Sequence, residues 1–259
     1  MKRSIYLGKL FGIRFGIHYT WFIIFILLTV FLVAPNYSQW LYWVTAILTS
    51  LLFFASVVAH ELAHSLVGRA NGVPIDSITL FIFGGVAQMR GEVVNPRAEF
   101  KMAAAGPACS LVIGGLFGII YWILISLDLP EAVVTMVLWL SVMNGILAVF
   151  NLIPGFPLDG GRVLRSLLWR FSGNYSRSTR IAARLGQGVG YLFILGGVII
   201  VILQPFDLSW FDGVWFIFIG WFIAGVATSS YRQIQQQEAF HGFVESKARS
   251  SEDSRSPGN

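Results

Sequence analysis

The sequence predicts an all-α polytopic membrane protein with six transmembrane helices and a short β hairpin or small sheet after the second span. Composition is the first ground for this. The 259 residues are 56% hydrophobic and 12% charged, with a mean hydropathy of +0.70, whereas soluble domains carry roughly 25% charged residues. Six apolar stretches are the second: about Phe15 to Val33, Trp40 to the segment ending at His64, Ala103 to Leu127, Val133 to Phe150, Leu185 to Leu203, and Phe211 to Ala227. The third is charge placement. All 18 Lys and Arg residues lie in the N-terminal arm, in the segments following spans two and four or at those span ends, and in the C-terminal tail. The alternate loops, Ala34 to Gln39, Asp128 to Ala132 and Gln204 to Trp210, hold none.

Taken in order, the N-terminal arm carries Lys2, Arg3 and Lys9 before an apolar stretch longer than a signal core, with no A-x-A-like site after it. The first span is therefore expected to stay as an anchor. The second span has no charge from Trp40 to Ala59, the length of about 20 residues that a crossing helix needs. Beyond it, Val73 to Val94 breaks the helical pattern. Ile78 to Phe83 is rich in β-formers, Gly84-Gly85 punctuates it, and Val86 to Met89 continues it.

The third span opens with Ala103-Ala104-Ala105-Gly106-Pro107 and continues with small residues that let helices approach closely. Cys109, the one cysteine, lies there and reads as a packing residue. Pro154 and Pro157 interrupt the fourth helix. Arg162, Arg165 and Arg170 then interleave with apolar residues as in an interfacial amphipathic helix. From Tyr231 the chain turns polar, so the expected organisation is a membrane domain over 1–230 and a largely disordered cytoplasmic tail over 231–259. Because cytoplasmic loops concentrate Lys and Arg, the charge pattern places both termini in the cytoplasm of a multi-pass cell-membrane protein. The net charge of +5 is this asymmetry and not a nucleic-acid patch.

At the inner end of the second span stands His60-Glu61-Leu62-Ala63-His64. Two histidines four apart on a helix share a face and can ligate one zinc ion, with the intervening glutamate as general base. Counting at 1.5 Å per residue from Trp40 puts His60 about 30 Å along, near the cytoplasmic edge. Catalytic zinc takes three protein ligands and a water. His18 lies in the first span and reads as a satisfied helix-end histidine, and His241 lies in the tail, so a carboxylate is the better third ligand. Of the acids near the membrane, Asp76, Glu92 and Asp159, the last stands out. It sits in Asn151-Leu-Ile-Pro-Gly-Phe-Pro-Leu-Asp-Gly-Gly-Arg162, and broken helices at membrane depth line cavities or sites. An ionisable residue there costs about 2.5–3.5 kcal/mol on insertion scales, which a bound cation offsets.

With both motifs in view, the chain resembles the site-2 protease family of intramembrane zinc metalloproteases, over about residues 1–230. HELAH at 60–64 and NLIPGFPLDGGR at 151–162 carry the resemblance, with weaker matches at 83–87 (FGGVA) and 103–107 (AAAGP). The resemblance implies one zinc ion per chain on His60, His64 and Asp159, and Glu61 as base and then acid. It implies Asn151 as a substrate-positioning or oxyanion-side residue. The compact six-span prokaryotic-type branch, without a CBS or PDZ domain, is the nearest in layout.

The expected chemistry is hydrolysis of a peptide bond near the cytoplasmic end of a single-pass transmembrane substrate, with the Gly84-Gly85 strand holding an unwound stretch of it. The expected partners are such substrates, the lipid bilayer and a regulatory membrane protein, with no nucleic acid. A zinc transporter using the same ligands is the alternative, and a silent scaffold that binds transmembrane partners is a second. Glu61 and the cytoplasmic-side depth argue against the transporter, since ion transport needs no general base, and the complete ligand set argues against the scaffold.

Overall fold

The computed structural model describes residues 4–34, 39–81, 84–89, 95–205 and 209–253. It is mostly helical, with one four-stranded sheet, and divides into two compact units, Met1–Ile153 and Pro154–Asn259. Five of its helices are long and apolar enough to cross a membrane.

In the first unit the chain opens with an antiparallel hairpin, β1 (Ser4–Leu10) and β2 (Ile13–His18). Its tight turn uses positive φ at Phe11 and Gly12, and the Arg69 guanidinium donates to the Phe11 carbonyl at 2.7 Å. The hairpin corrects two expectations. The first apolar run was expected to be helical from Phe15, and the sheet was expected only after the second span. Instead Ile13, Phe15 and Ile17 alternate with Arg14 and Gly16, a period of two that suits a half-buried strand. Summed hydropathy merged this strand with the helix that follows it. That helix, α1 (Thr20–Val33), has 14 residues, about 21 Å at 1.5 Å per residue, short of the roughly 30 Å hydrocarbon core.

The long helix α2 (Trp40–Ala70) returns the chain to β3 (Ile75–Phe81), which pairs in parallel with β2, as a crossover requires. A further antiparallel strand, β4 (Gly84–Met89), completes the order β1-β2-β3-β4. The strands expected after α2 are thus present. One face of the sheet buries Ile13, Phe15, Ile75, Ile78 and Leu80 together with Met102 and Ala98, and against these pack Val57, Val58 and Leu62. The sheet therefore sits on the stretch of α2 that carries the histidines.

Helix α3 (Pro96–Leu124) starts before the expected apolar run. The Asn95 side chain accepts from the Arg97 amide at 2.8 Å, and Pro96 stands where its missing N–H costs nothing. Helix α4 (Glu131–Asn151) completes the unit, and α3 packs against both α2 and α4.

In the second unit, the Pro/Gly segment after Ile153 leads into α5 (Asp159–Ser172), which ends at the left-handed Gly173. Phe156 N–H donates to the Ala182 carbonyl of α6 (Tyr175–Leu203) at 3.2 Å. The Arg165 guanidinium lies over the Phe156 and Tyr175 rings, 4.9 and 4.8 Å from their centroids. Helix α7 (Trp210–Asp253) packs along α6 and runs on past Tyr231 into the polar stretch. The run Tyr231 to Lys247 carries four Gln and two Glu, which favour helix even where no core is available.

Helices α6 and α7 meet backbone to backbone. A Cβ on Gly190 would stand 2.7 Å from the Gly220 carbonyl oxygen, closer than real side chains come, and such contacts drive association of membrane helices. Gly190→Val is expected to destabilise the hairpin by about 1–3 kcal/mol through overpacking, read as a lower unfolding midpoint of the detergent-solubilised protein; an unchanged midpoint would contradict this packing.

Candidate metal centre

His60 and His64 lie one helical turn apart on α2, both buried. Their Nε2 atoms face each other at 3.1 Å. Each ring is held from behind by α3. His64 Nδ1 lies 2.6 Å from the Met102 carbonyl oxygen, and because a carbonyl only accepts, Nδ1 carries the proton and Nε2 of the neutral ring carries the lone pair. His60 Nδ1 lies 2.9 Å from the Ser110 hydroxyl. Such Nδ1 anchors are the supports that fix ring orientation in metal-ligating histidines.

The pair fits a metal ion in two respects. Two nitrogens bound tetrahedrally to zinc at 2.0–2.1 Å are about 3.3 Å apart, close to the spacing seen here. The space beside them is also kept clear. Gly106 of α3 approaches so closely that a Cβ there would run into His64 Nε2 and stand 2.7 Å from His60 Nε2. An alanine methyl would fill the ground into which both ligand atoms point.

Glu61 faces a different structure, the strand β4. A Cβ on Gly85 would collide with the Glu61 side chain, 2.8 Å from its carboxyl carbon. Gly85 therefore lets the strand backbone pass directly beside this half-buried carboxylate. Gly84 opposes Phe81 and Gly85 opposes Leu80 in the β3–β4 ladder. Among the described residues β4 pairs with β3 alone and forms one edge of the sheet.

The remaining candidates stand as follows. Asn151 is the last residue of α4, half-buried, and its amide donates to the Leu147 carbonyl at 2.9 Å. Asp159 is the first residue of α5 in the second unit, where the helix dipole favours a carboxylate. His18 caps the end of β2 with Nδ1 3.0 Å from the Thr20 hydroxyl and its ring 5.0 Å from that of Phe81, as a satisfied helix-end histidine should. Glu92 lies outside the described residues, as does the His241 side chain.

Sequence reasoning missed Gly106, Ser110 and the Met102 carbonyl. It treated AAAGPACS as helix-packing material. The available signal was the spacing: Met102, Gly106 and Ser110 recur every four residues, one stripe of α3 turned toward one stripe of α2. Also missed was Glu99, fully buried in the first turn of α3.

The fold and the paired histidines define a multi-pass membrane protein with a metal-binding geometry built between two of its helices. The family model for peptidase family M50 matches residues 48–134 and 118–197, and the chain belongs to that family, the one containing the site-2 proteases. The chain is 42% identical over 250 residues to a putative zinc metalloprotease of Synechocystis sp., covering 94% of this chain and 64% of that protein. Similarity to the putative zinc metalloprotease Rip3 of Mycobacterium tuberculosis is 36% over 272 residues, covering 100% of this chain and 66% of Rip3. The chain thus spans just under two thirds of these relatives' length. Among solved structures, the site-2 protease from Methanocaldococcus jannaschii is similar with a TM-score of 0.61 and 32% identity, over 88% of this chain and 95% of that one.

Gly106→Ala is expected to lower zinc affinity by at least tenfold while the helical circular dichroism is unchanged, since the added methyl meets ligand atoms and not a packed core. Zinc retained at wild-type affinity after dialysis would contradict the placement of the ion beside Gly106.

Proposed function

We propose that this chain is an intramembrane zinc metalloprotease that hydrolyses a peptide bond near the cytoplasmic end of single-pass transmembrane substrates. The observation that carries the reading is the pair of facing Nε2 atoms, anchored at both Nδ1 positions, with Glu61 one residue away against the edge strand β4. The matched family and the names of the relatives support the same activity.

His60 and His64 would hold the ion together with Asp159, whose carboxylate supplies the hard oxygen donor that completes a two-histidine, one-carboxylate set. When bound, zinc supplies Lewis acidity toward the scissile carbonyl and the attacking water. Glu61 takes the proton from that water and returns it to the leaving amine. The β4 edge at Gly84-Gly85 binds substrate by main-chain hydrogen bonds, which keeps an unwound stretch extended and its backbone groups satisfied inside the bilayer. Gly85 sets the distance from that strand to Glu61. Asn151, at the end of α4, donates to the substrate backbone or to the developing oxyanion.

The short α1, together with the hairpin before it, forms the sixth crossing. Both termini are cytoplasmic, because the basic residues collect on that side. The membrane part ends near residue 230 and the remainder projects from it. A regulatory membrane protein is the partner class this biology calls for. Zinc transport, the alternative reading, finds no support among the relatives and leaves Glu61 beside β4 without a purpose.

Two experiments test this. Purified Glu61→Gln protein is expected to retain zinc but to cleave a co-reconstituted single-pass substrate at least 100-fold more slowly, the scale of a lost general base; equal cleavage would overturn the assignment. Asp159→Asn is expected to lower zinc affinity by at least tenfold, and unchanged affinity would remove Asp159 from the ligand set.

A further inference from the structure

One turn from the histidine pair, inside the bundle of α2, α3 and α4, a second polar group is buried. Asn144 of α4 is 0% exposed. Its amide nitrogen donates to the Leu140 carbonyl at 2.8 Å and to the Ser56 hydroxyl at 3.3 Å, and Ser56 in turn donates to the Leu52 carbonyl at 2.9 Å. These bonds fix which end of the carboxamide is nitrogen, since a carbonyl cannot accept from an oxygen that has no proton. The Asn144 Oδ1 atom is therefore an acceptor, and it is buried with no hydrogen-bond partner in the protein.

Its position is bounded from two sides. Ser56 is one turn from His60 on α2. Gly114, whose added Cβ would stand 3.4 Å from the Asn144 Cβ, is one turn from Ser110 on α3. Asn144 thus lies about one helical rise, ~5.4 Å, from the level of the His60–Ser110 contact. The two levels are one turn apart, and a single water making two hydrogen bonds of about 2.7–2.8 Å bridges polar atoms about 4–5 Å apart; buried polar atoms without a protein partner take such waters.

We propose that Asn144 is a positioning residue for the metal centre: its Oδ1, through one bound water, accepts the hydroxyl proton of Ser110, so that the Ser110 oxygen accepts from His60 Nδ1–H. The inference rests on the metal reading given above. Its consequence is a choice of tautomer. If Ser110 instead donated to His60 Nδ1, the proton of His60 would sit on Nε2 and point at His64 Nε2, 3.1 Å away. Both ligand lone pairs would then be consumed in one hydrogen bond. With the Ser110 proton directed toward Asn144, both Nε2 lone pairs face the ion before it arrives.

The test uses the purified chain, stripped of metal and titrated with zinc against a chelator and with cobalt(II) for its visible ligand-field bands. Asn144→Leu is expected to weaken zinc binding 10–100-fold, the scale for losing an outer support of a ligand, and to shift the cobalt bands. Asn144→Asp, which keeps an acceptor oxygen, is expected to restore affinity to within about threefold. Ser110→Ala is expected to weaken binding, and adding Asn144→Leu to it to cost less than twofold more, because the two act through one chain. Ser141→Ala removes a different α3–α4 bond, Ser141 hydroxyl to the Gly114 carbonyl at 2.8 Å, and is expected to leave zinc affinity unchanged. If Asn144→Leu fails to fold, Asn144→Ala takes its place with the same expectation. Zinc affinity and cobalt bands unchanged in these variants, or equally weakened in Ser141→Ala, would overturn the proposal and leave Asn144 as helix glue. If the unaltered chain bound neither metal, the metal reading would fall first and this inference with it.

Discussion

The Met102 carbonyl oxygen stands 2.6 Å from His64 Nδ1, and the way the first unit is put together follows from what that contact requires. A histidine ring in a mostly apolar bundle cannot leave a nitrogen unsatisfied without a cost of the order of 1–3 kcal/mol. It must therefore be turned so that one nitrogen bonds inside the protein while the other is left for a ligand. Helix α3 does this for both rings, with a backbone carbonyl for His64 and a hydroxyl for His60. For α3 to come that near, its contact stripe must be small, and Gly106 lies directly over the ligand atoms. The small residues of this stretch thus position the site as well as allowing the helices to pack.

The sheet solves the complementary problem for Glu61. Side chains one position apart on a helix diverge by about 100°, so a residue next to a ligand faces a different neighbour. Here that neighbour is β4, and Gly85 keeps its backbone within reach of the carboxylate. Placing an edge strand against HELAH puts main chain beside a half-buried carboxylate, the arrangement on which the proposed roles of Glu61 and β4 rest. Strands β2 and β3 are paired on both sides, and among the described residues β1 and β4 form the two edges of the sheet.

Much of the site was legible in the sequence because its chemistry is local. His60, Glu61 and His64 fall within one turn and a third of helix, and Asp159, the third ligand proposed above, is marked by prolines and glycines on either side. The β3–β4 pair announced itself through β-formers and Gly84-Gly85. What stayed hidden was non-local. The pairing of β2 with β3 joins residues about 60 positions apart across two helices, and hydropathy alone could not separate β2 from α1 because both are apolar. Ser110, Met102 and Asn144 matter through what they touch on another helix, and residue type alone does not report that.

The central claim is that this chain holds one zinc ion on two imidazoles and a carboxylate. Zinc K-edge X-ray absorption on the purified protein tests it most directly. The account predicts one zinc per chain, only nitrogen and oxygen donors at about 2.0–2.2 Å, and the outer-shell scattering of two histidine rings. A protein that retains no zinc, or a spectrum with sulfur at about 2.3 Å or with a single imidazole, would contradict it.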